Sequence, residues 1–146
     1  MIIHFAVPTH MVKSNTLFYR RIMDVAHEGG HEIARNWIEP VLSSKKVATS
    51  EATRSYEDIV GYIIDAIVRS DVVIADASQY GTFGVGYQVA IGVLKGKSVL
   101  ILHRKGEPSG ILMCGLDNGR NVAYREFETD EDAGRIVKTF LESVEL

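Results

Sequence analysis

The amino-acid sequence predicts a doubly wound α/β domain, in which a mostly parallel five-stranded sheet has helices on both faces. Short apolar runs alternate with segments of helical periodicity along the chain, the pattern of parallel sheets with right-handed crossovers. The run "DVVIADA" is typical of a strand that is covered on both sides. The 146 residues are 46% hydrophobic, enough for one ordinary core but too few for two comfortable ones. We therefore expect a single domain over residues 1–146.

The chain is expected to open with a strand and a helix. Residues 1–7 form a short apolar run that stops at Pro8, and we interpret them as a buried strand. Ser14 can cap the helix that follows, and Gly29 and Gly30 are expected to end it. The apolar residues of this helix fall near helical spacing: Leu17, Phe18, Ile22, Val25 and Ala26.

The middle of the chain is expected to contain two strands separated by a loop and a helix. "HEIARNWI", residues 31–38, predicts a second, weaker strand, and the polar segment 39–58 predicts a surface loop near the mouth of the site. A helix with one apolar face should follow, and then the central strand in residues 71–77. The residues of that apolar face are Ile59, Ile63, Ile64, Ile67 and Val68.

The remaining elements are two further pairs of helix and strand. A helix that includes Val89 and Leu94 should end at Gly96, and "SVLILH" should be the next buried strand. A last strand is expected around residues 121–124 and a last helix over residues 130–141. In such sheets ligands bind beyond the carboxyl ends of the strands. The loops expected to meet there are residues 8–13, 78–86 and 103–110.

Composition and charge exclude several classes of function. The net charge of −3 gives no basic field that would attract DNA or RNA. Cys114 is the single cysteine, so an internal disulfide or a cysteine-rich metal site is excluded. No apolar run reaches the roughly 20 residues that span a bilayer, and the start of the chain lacks the pattern of a secretion signal. We expect a cytoplasmic protein without metal or membrane attachment.

The stretch "GTFGVGYQVA", residues 81–90, resembles a glycine-containing turn that opens a helix. Glycines at such a place serve tight turns and close helix packing, and this stretch lacks the full dinucleotide fingerprint. Free amides at a helix start also bind anions, so Gly84 and Gly86 are candidate phosphate-binding residues. The motif alone leaves both interpretations open.

Its surroundings carry a family resemblance. "SDVVIADASQYGTFGVGYQVAIGVLKGKSVLIL" resembles the corresponding stretch of the nucleoside 2-deoxyribosyltransferase and 2′-deoxynucleoside 5′-phosphate N-hydrolase superfamily, and "IHFA", "FYRRI", "SGILMCG" and "NVAYREF" fall in that family's order. The resemblance implies a flavodoxin-like, Rossmann-like fold. It also implies a homodimer with shared active sites that cleaves the N-glycosidic bond of a nucleoside or nucleoside 5′-monophosphate without a cofactor.

Gln88 stands where this family has its nucleophile. The resemblance implies a glutamate in "GVGYE" that attacks the anomeric carbon, and the glycosyl ester is then opened by water or by a second base. A glutamine has nearly the same size but cannot supply the anion. Two explanations remain open: a natural nucleotide-binding relative without catalysis, or a Glu→Gln replacement of the kind used to trap a substrate.

The second acid of the family is also absent from its counted position. The hydrolases place an aspartate eight residues before the aspartate that opens the central strand, and that count gives Ile63 here. Asp65 is the alternative candidate if the helix is offset, and its other interpretation is an exposed helix residue.

The remaining candidate residues would bind the nucleotide. Thr82 matches a hydroxyl that holds the 5′-phosphate in the hydrolases. The hydrolases also take a serine from the neighbouring subunit to the phosphate site; Gly110 falls at its counted position here, and Ser109 beside it is the candidate ligand. His4 occupies the position where the deoxynucleotide hydrolases carry a tyrosine that contacts the sugar 2′-position. Its other interpretation is a core residue, which is the more common role of a histidine on a buried strand. The first loop adds the candidates Pro8, Thr9 and His10. Lys13 and Arg104 are further candidates that would place positive charge near a phosphate, and their other interpretation is a solvated loop residue.

These observations favour an N-glycosidase for nucleoside 5′-monophosphates, with enzymatic activity depending on residue 88. A nucleoside 2-deoxyribosyltransferase is the enzymatic alternative. A catalytically inactive nucleotide-binding or sensing protein is the alternative from a different class.

Overall fold

The computed structural model describes residues 1–43, 55–79 and 82–144. Its core is a five-stranded sheet in the order β2-β1-β3-β4-β5, and all four strand pairs are parallel. The strands are β1 (Ile2–Ala6), β2 (Glu32–Ile33), β3 (Val72–Asp76), β4 (Ser98–Arg104) and β5 (Val122–Phe127). The helices are α1 (Thr16–Glu28), α2 (Ile38–Ser43), α3 (Tyr56–Arg69), α4 (Phe83–Leu94), α5 (Ile111–Cys114) and α6 (Asp130–Ser143). The flavodoxin-like α/β fold predicted from the sequence is confirmed.

Strand alternation divides the core into two layers. On β1, Ile3 and Phe5 pack with α1 and α6, whereas Ala6 packs on the opposite face with α3 and α4. The central strand β3 alternates in the same way and is buried along its whole length. Because both faces of a parallel sheet are covered by crossover helices, continuous apolar strands such as β3 and β4 are the expected result.

Helix α4 lies very close to the sheet. Gly92 is buried, and a Cβ atom built there would lie 3.1 Å from a methyl group of Val73 on β3. A side chain at this position would push the helix away from the strand. The glycine therefore sets the distance between α4, which carries Gln88, and the sheet.

The first two elements differ in detail from their predictions. Helix α1 begins one residue later than expected, with Asn15 at the cap position, while the Ser14 hydroxyl donates a hydrogen bond to the carbonyl oxygen of Met11. The predicted second strand over residues 31–38 is reduced to Glu32–Ile33. A strand this short at the edge of a sheet has too few residues to show a clear period in sequence.

The predicted loop over residues 39–58 is wrong at both ends. Its first residues belong to α2, and α3 begins at Tyr56 after the Ser55 hydroxyl caps it by accepting from the amide of Asp58. Residues 44–54 lie outside the described residues. The expected apolar face of α3 is buried at Ile67, but Val68 is 46% exposed.

The later elements follow the sequence more closely. Strand β5 extends to Phe127, beyond the predicted end at residue 124, and α6 extends to Ser143. The short helix α5 was not predicted, because its four residues are too few for a periodic signal. Within the described ranges, no helix is both long and apolar enough to cross a membrane.

Candidate active site

A small cleft lies where β1 ends, between α3, α4 and the segment that connects β2 to α2. Its volume is about 90 Å³. The described residues that line it are Phe5, Val7, Thr9, Arg35, Trp37, Ile59, Ile63 and Gln88. Larger open grooves of about 460 and 510 Å³ run along β5 and α6, but Gln88 and Ile63 do not line them. The cleft lies at the carboxyl ends of the strands, where ligands bind in doubly wound folds.

Gln88 is held in the cleft at both ends of its side-chain amide. The nitrogen Nε2 donates a hydrogen bond of 3.1 Å to the carbonyl oxygen of Gly84, one helical turn earlier. The oxygen Oε1 lies 2.7 Å from Nε2 of His4 on β1. An amide oxygen can only accept, so His4 carries its proton on Nε2 and donates to Gln88. The contact joins α4 to the strand beneath it.

His4 is a buried, neutral histidine in this arrangement. Its side chain is 1% exposed, and Nδ1 has no hydrogen-bond partner within the described part of the chain. Burial lowers the pKa of His4, the hydrogen bond with Gln88 opposes this shift, and the positive charge of Arg35 lowers the pKa further. His4 thus fits the core interpretation and at the same time orients the residue at the nucleophile position.

Ile63 lies in the same cleft as Gln88, although the two residues belong to different helices. The position counted for the second acid therefore faces the cleft with an apolar side chain. Asp65 is exposed on α3 and is not among the described residues that line the cleft. The structure does not bring Asp65 to Gln88.

Thr82 and the two glycines stand at the start of α4. Thr82 is the N-cap residue, and its hydroxyl oxygen accepts a hydrogen bond of 3.2 Å from the amide of Val85. The amide of Gly86 donates to the backbone oxygen of Thr82 at 3.0 Å. Of the two candidate glycines, Gly86 therefore uses its amide within the helix, and Gly84 is the one we retain. The hydroxyl hydrogen of Thr82 can still be donated to a ligand.

Ser109 and Gly110 precede α5 and do not line the cleft of their own chain as far as the structure describes it. Ser109 is exposed and lies beside Tyr124, whose ring stacks on His103 with centroids 5.8 Å apart. The His103 ring also contacts the Pro108 carbonyl oxygen at 3.3 Å. The loop that carries Ser109 is thus supported from β4 and β5.

The first loop contributes Thr9 to the cleft. Pro8 is buried, His10 is exposed in a short 3-10 helix over Thr9–Met11, and Lys13 is also exposed. Arg104, in contrast, is used structurally. Its guanidinium pairs with Asp130 at 2.9 Å and lies 4.7 Å from the centre of the Phe127 ring.

A buried polar network supports the adjacent strand ends. The Tyr19 hydroxyl donates a 2.6 Å hydrogen bond to the Asp76 carboxylate, whose other oxygen accepts from the amide of Ser78. The Ser78 hydroxyl in turn accepts from the amide of Arg104 at 3.0 Å. Burial and the neighbouring carboxylate both raise the pKa of Tyr19, which therefore stays a neutral donor. The network joins two of the loops predicted to meet at the site.

Arg35 and Trp37 are cleft residues that sequence reasoning did not identify. They fall in the segment interpreted as a weak strand, whereas the chain leaves the sheet after Ile33 and brings both residues over the end of β1. The sequence signal that could have identified them is an arginine and a tryptophan next to a strand whose end was not clear. Within the described residues, no group of three or more His, Cys, Asp or Glu side chains is placed to hold a metal ion.

Comparisons with known proteins find relatives in sequence and in fold. Over 77 residues, 51% of this chain and 71% of the relative, the sequence is 34% identical to a 5-hydroxymethyl-dUMP N-hydrolase from Branchiostoma floridae. The CMP N-glycosidase of Clostridium botulinum matches the fold with a TM-score of 0.71 and 16% identity, covering 95% of this chain and 99% of that one.

A 2-deoxyribosyltransferase from Bacillus psychrosaccharolyticus matches with a TM-score of 0.58 and 18% identity, covering 92% of this chain and 90% of the other. No family model matches the chain. The sequence relative and the shared fold lead to one conclusion: this chain belongs to the nucleoside 2-deoxyribosyltransferase-like superfamily.

Proposed function

We propose that this chain binds a nucleoside 5′-monophosphate in the Gln88 cleft. With a glutamate at position 88, the same cleft would hydrolyse the N-glycosidic bond to give free base and sugar 5-phosphate. The observation that carries this proposal is that positions 88 and 63, to which the resemblance assigns nucleophile and acid, line one cleft. Two relatives named as a nucleotide N-hydrolase and a CMP N-glycosidase support the same reaction class.

The geometry supports a double displacement at residue 88. A carboxylate there would attack the anomeric carbon while the bond to the base breaks, and water would then open the sugar ester. His4 would donate its Nε2 hydrogen to one carboxylate oxygen, as it now does to Gln88, and would hold the nucleophile in place. With the neutral amide of Gln88, the cleft should bind a nucleotide and release little or no base.

Phosphate binding is assigned to the start of α4 and to a second subunit. Thr82 and the amide of Gly84 would hold the 5′-phosphate at the positive end of the helix dipole. Ser109 of the neighbouring copy, with Gly110 at the start of α5, would complete the site. The loop position of Ser109, outside its own cleft, supports this shared arrangement.

The proposed homodimer has a suitable apolar surface. Helix α4 exposes a stripe that includes Phe83 (91%) and Leu94 (85%), and α5 exposes Ile111 (84%) and Leu112 (87%). Large exposed apolar side chains of this kind, where they form a patch, are a feature of interaction sites on folded proteins. Light scattering should show a dimer at micromolar concentration, and Leu94→Glu should shift it toward monomer. A wild-type monomer with nucleotide bound would remove the shared-site arrangement.

Calorimetry with matched pairs of nucleosides and their 5′-monophosphates tests the proposed ligand. Monophosphates should bind more tightly, and Thr82→Val should weaken them roughly tenfold or more, since a hydrogen bond to a charged group contributes about 1.5–3 kcal/mol. Thr82→Ser keeps the hydroxyl and should retain binding. Thr139→Val, on the exposed side of α6, is the matched control. Equal affinities for nucleosides and monophosphates would contradict the proposal.

Two other functions remain alternatives. A deoxyribosyltransferase would transfer the sugar of a nucleoside to an added acceptor base, so product analysis with and without acceptor separates it from a hydrolase. An inactive nucleotide sensor is favoured by the neutral side chains of Gln88 and Ile63 together. A sensor would bind nucleotide tightly, and Gln88→Glu would not release base.

A further inference from the structure

We propose that Arg35 faces the base in the Gln88 cleft and stabilises the departing base as an anion. The substrates of this site are then pyrimidine nucleotides, which have a carbonyl group beside the glycosidic nitrogen. The inference rests on the proposed nucleotide site and adds to it the residue that replaces the missing second acid.

The first step of the argument is the charge of the cleft. Of its described lining residues, Arg35 alone is charged, and Ile63 occupies the position where an acid is expected. The cleft wall therefore offers no carboxylic acid that could protonate a leaving base among these residues. Among the described lining residues, the Arg35 guanidinium is the group that carries a charge able to stabilise the leaving base.

The second step is the location of that guanidinium. Arg35 lines the same small cleft as Gln88, and its positive charge acts on His4, the hydrogen-bond partner of Gln88. Arg35 therefore shares the cleft of the nucleophile position, and its charge acts on the residue that holds Gln88. The other lining residues include the apolar side chains of Phe5, Ile59 and Trp37. Inside a cleft, where less bulk water screens the charges, an electrostatic interaction is stronger than in open solvent.

The third step is the chemistry of the leaving group. When the bond from C1′ to the base nitrogen breaks, its electron pair stays on the base. In a pyrimidine this charge spreads onto the adjacent carbonyl oxygen, an acceptor that a planar guanidinium can hold with two N–H donors. No proton moves in this step. After ester formation at a residue-88 carboxylate, water opens the ester, and the proton that it releases is taken up by the base.

Binding of free bases to the protein as it exists, with Gln88, tests the inference directly. 5-Nitrouracil, which is ionised at neutral pH, stands for the departing anion, and uracil stands for the neutral base. The wild-type protein should bind 5-nitrouracil more tightly than uracil. Arg35→Ala should lose about 10- to 100-fold of the 5-nitrouracil affinity and little of the uracil affinity. Arg35→Lys should keep part of the difference.

The control is Arg135→Ala, which removes the same charge from an exposed position on α6. UMP and AMP are titrated in parallel, and UMP should depend on Arg35 more strongly than AMP. If UMP binds but Arg35→Ala leaves the preference for 5-nitrouracil unchanged, the role of Arg35 is wrong and the nucleotide site stands. If neither nucleotide binds to any variant, both proposals fail.

Discussion

Replacing Gln88 by glutamate should convert the binding cleft into an N-glycosidase site. The change adds the one anionic group that the double displacement lacks, at a position already held by His4 and Gly84. At an effective dielectric of about 20, a carboxylate about 3.5 Å from the anomeric carbon stabilises a unit positive charge by roughly 5 kcal/mol, a factor above about 10³ in rate. The covalent step adds to this electrostatic effect.

The substitution should leave the fold intact. It removes the hydrogen bond from Nε2 to the carbonyl oxygen of Gly84, a net loss of about 0.5–1.5 kcal/mol. It converts the His4 contact into a hydrogen bond with a charged acceptor, which contributes about 1.5–3 kcal/mol. Because the His4 contact already contributes about 0.5–1.5 kcal/mol as a neutral hydrogen bond, its gain of about 1–1.5 kcal/mol nearly offsets this loss, so the thermal midpoint of Gln88→Glu should stay close to that of the wild type.

The assay is base release from a panel of ribo- and deoxyribonucleoside 5′-monophosphates, followed by chromatography. Mass spectrometry of the quenched protein should detect a sugar adduct on residue 88. Gln88→Asp is the matched control, because it supplies the charge on a side chain one methylene too short. A folded Gln88→Glu protein that binds monophosphates but releases base no faster than wild type would refute the reasoning. The loss of the acid at position 63 would then be the decisive change.

Three further predictions concern the scaffold. Tyr19→Phe removes the hydrogen bond to the buried Asp76 carboxylate and should lower the free energy of unfolding by about 1.5–3 kcal/mol in urea titrations; a change below about 0.5 kcal/mol would contradict this role. Because burial lowers the pKa of His4, the unfolded chain takes up its proton first, so stability should be full above pH 6.5 and fall as the pH drops below 6.5; His4→Phe should remove this part of the pH dependence. Gly92→Ala places a Cβ atom 3.1 Å from a methyl group of β3 and should lower the free energy of unfolding by about 1–3 kcal/mol in urea titrations. Gly61→Ala, with open space around it, is the control and should raise the free energy of unfolding by about 0.5–1 kcal/mol.

The sheet could be predicted because its central strands carry their own signal. β3 and β4 are buried on both faces, so their sequences are almost continuously apolar and leave no other element to fit them. β2 has two residues, and α2 and α5 have six and four, so their position depends on packing rather than on local periodicity. Short elements carry too little local pattern to be found from sequence alone.

The candidate site could be predicted in part for the same reason. Gln88 was found because its motif is local, and position 63 was found by counting from the central strand. Arg35 and Trp37 reach the cleft only because the chain leaves the sheet after two residues of β2, a fact of tertiary structure. Asp65, two positions from Ile63, shows the reverse error, since a helix turns about 200° over two residues and carries the side chain away from the cleft.

The charge of the cleft connects the two proposals and separates an enzyme from a sensor. With Gln88, Arg35 is the one charged residue among the described lining residues, and in the proposed complex its guanidinium faces an anionic base. A glutamate at position 88 would neutralise that charge and should weaken the binding of 5-nitrouracil, because a carboxylate would then face the anionic base. The same change should allow bond cleavage. In a protein adapted to sense nucleotides, Gln88→Glu would lower the affinity for nucleotide and produce no base release. In an inactivated enzyme, the same change would lower the affinity and restore base release. Measuring both quantities on the one variant therefore distinguishes the two histories of residue 88.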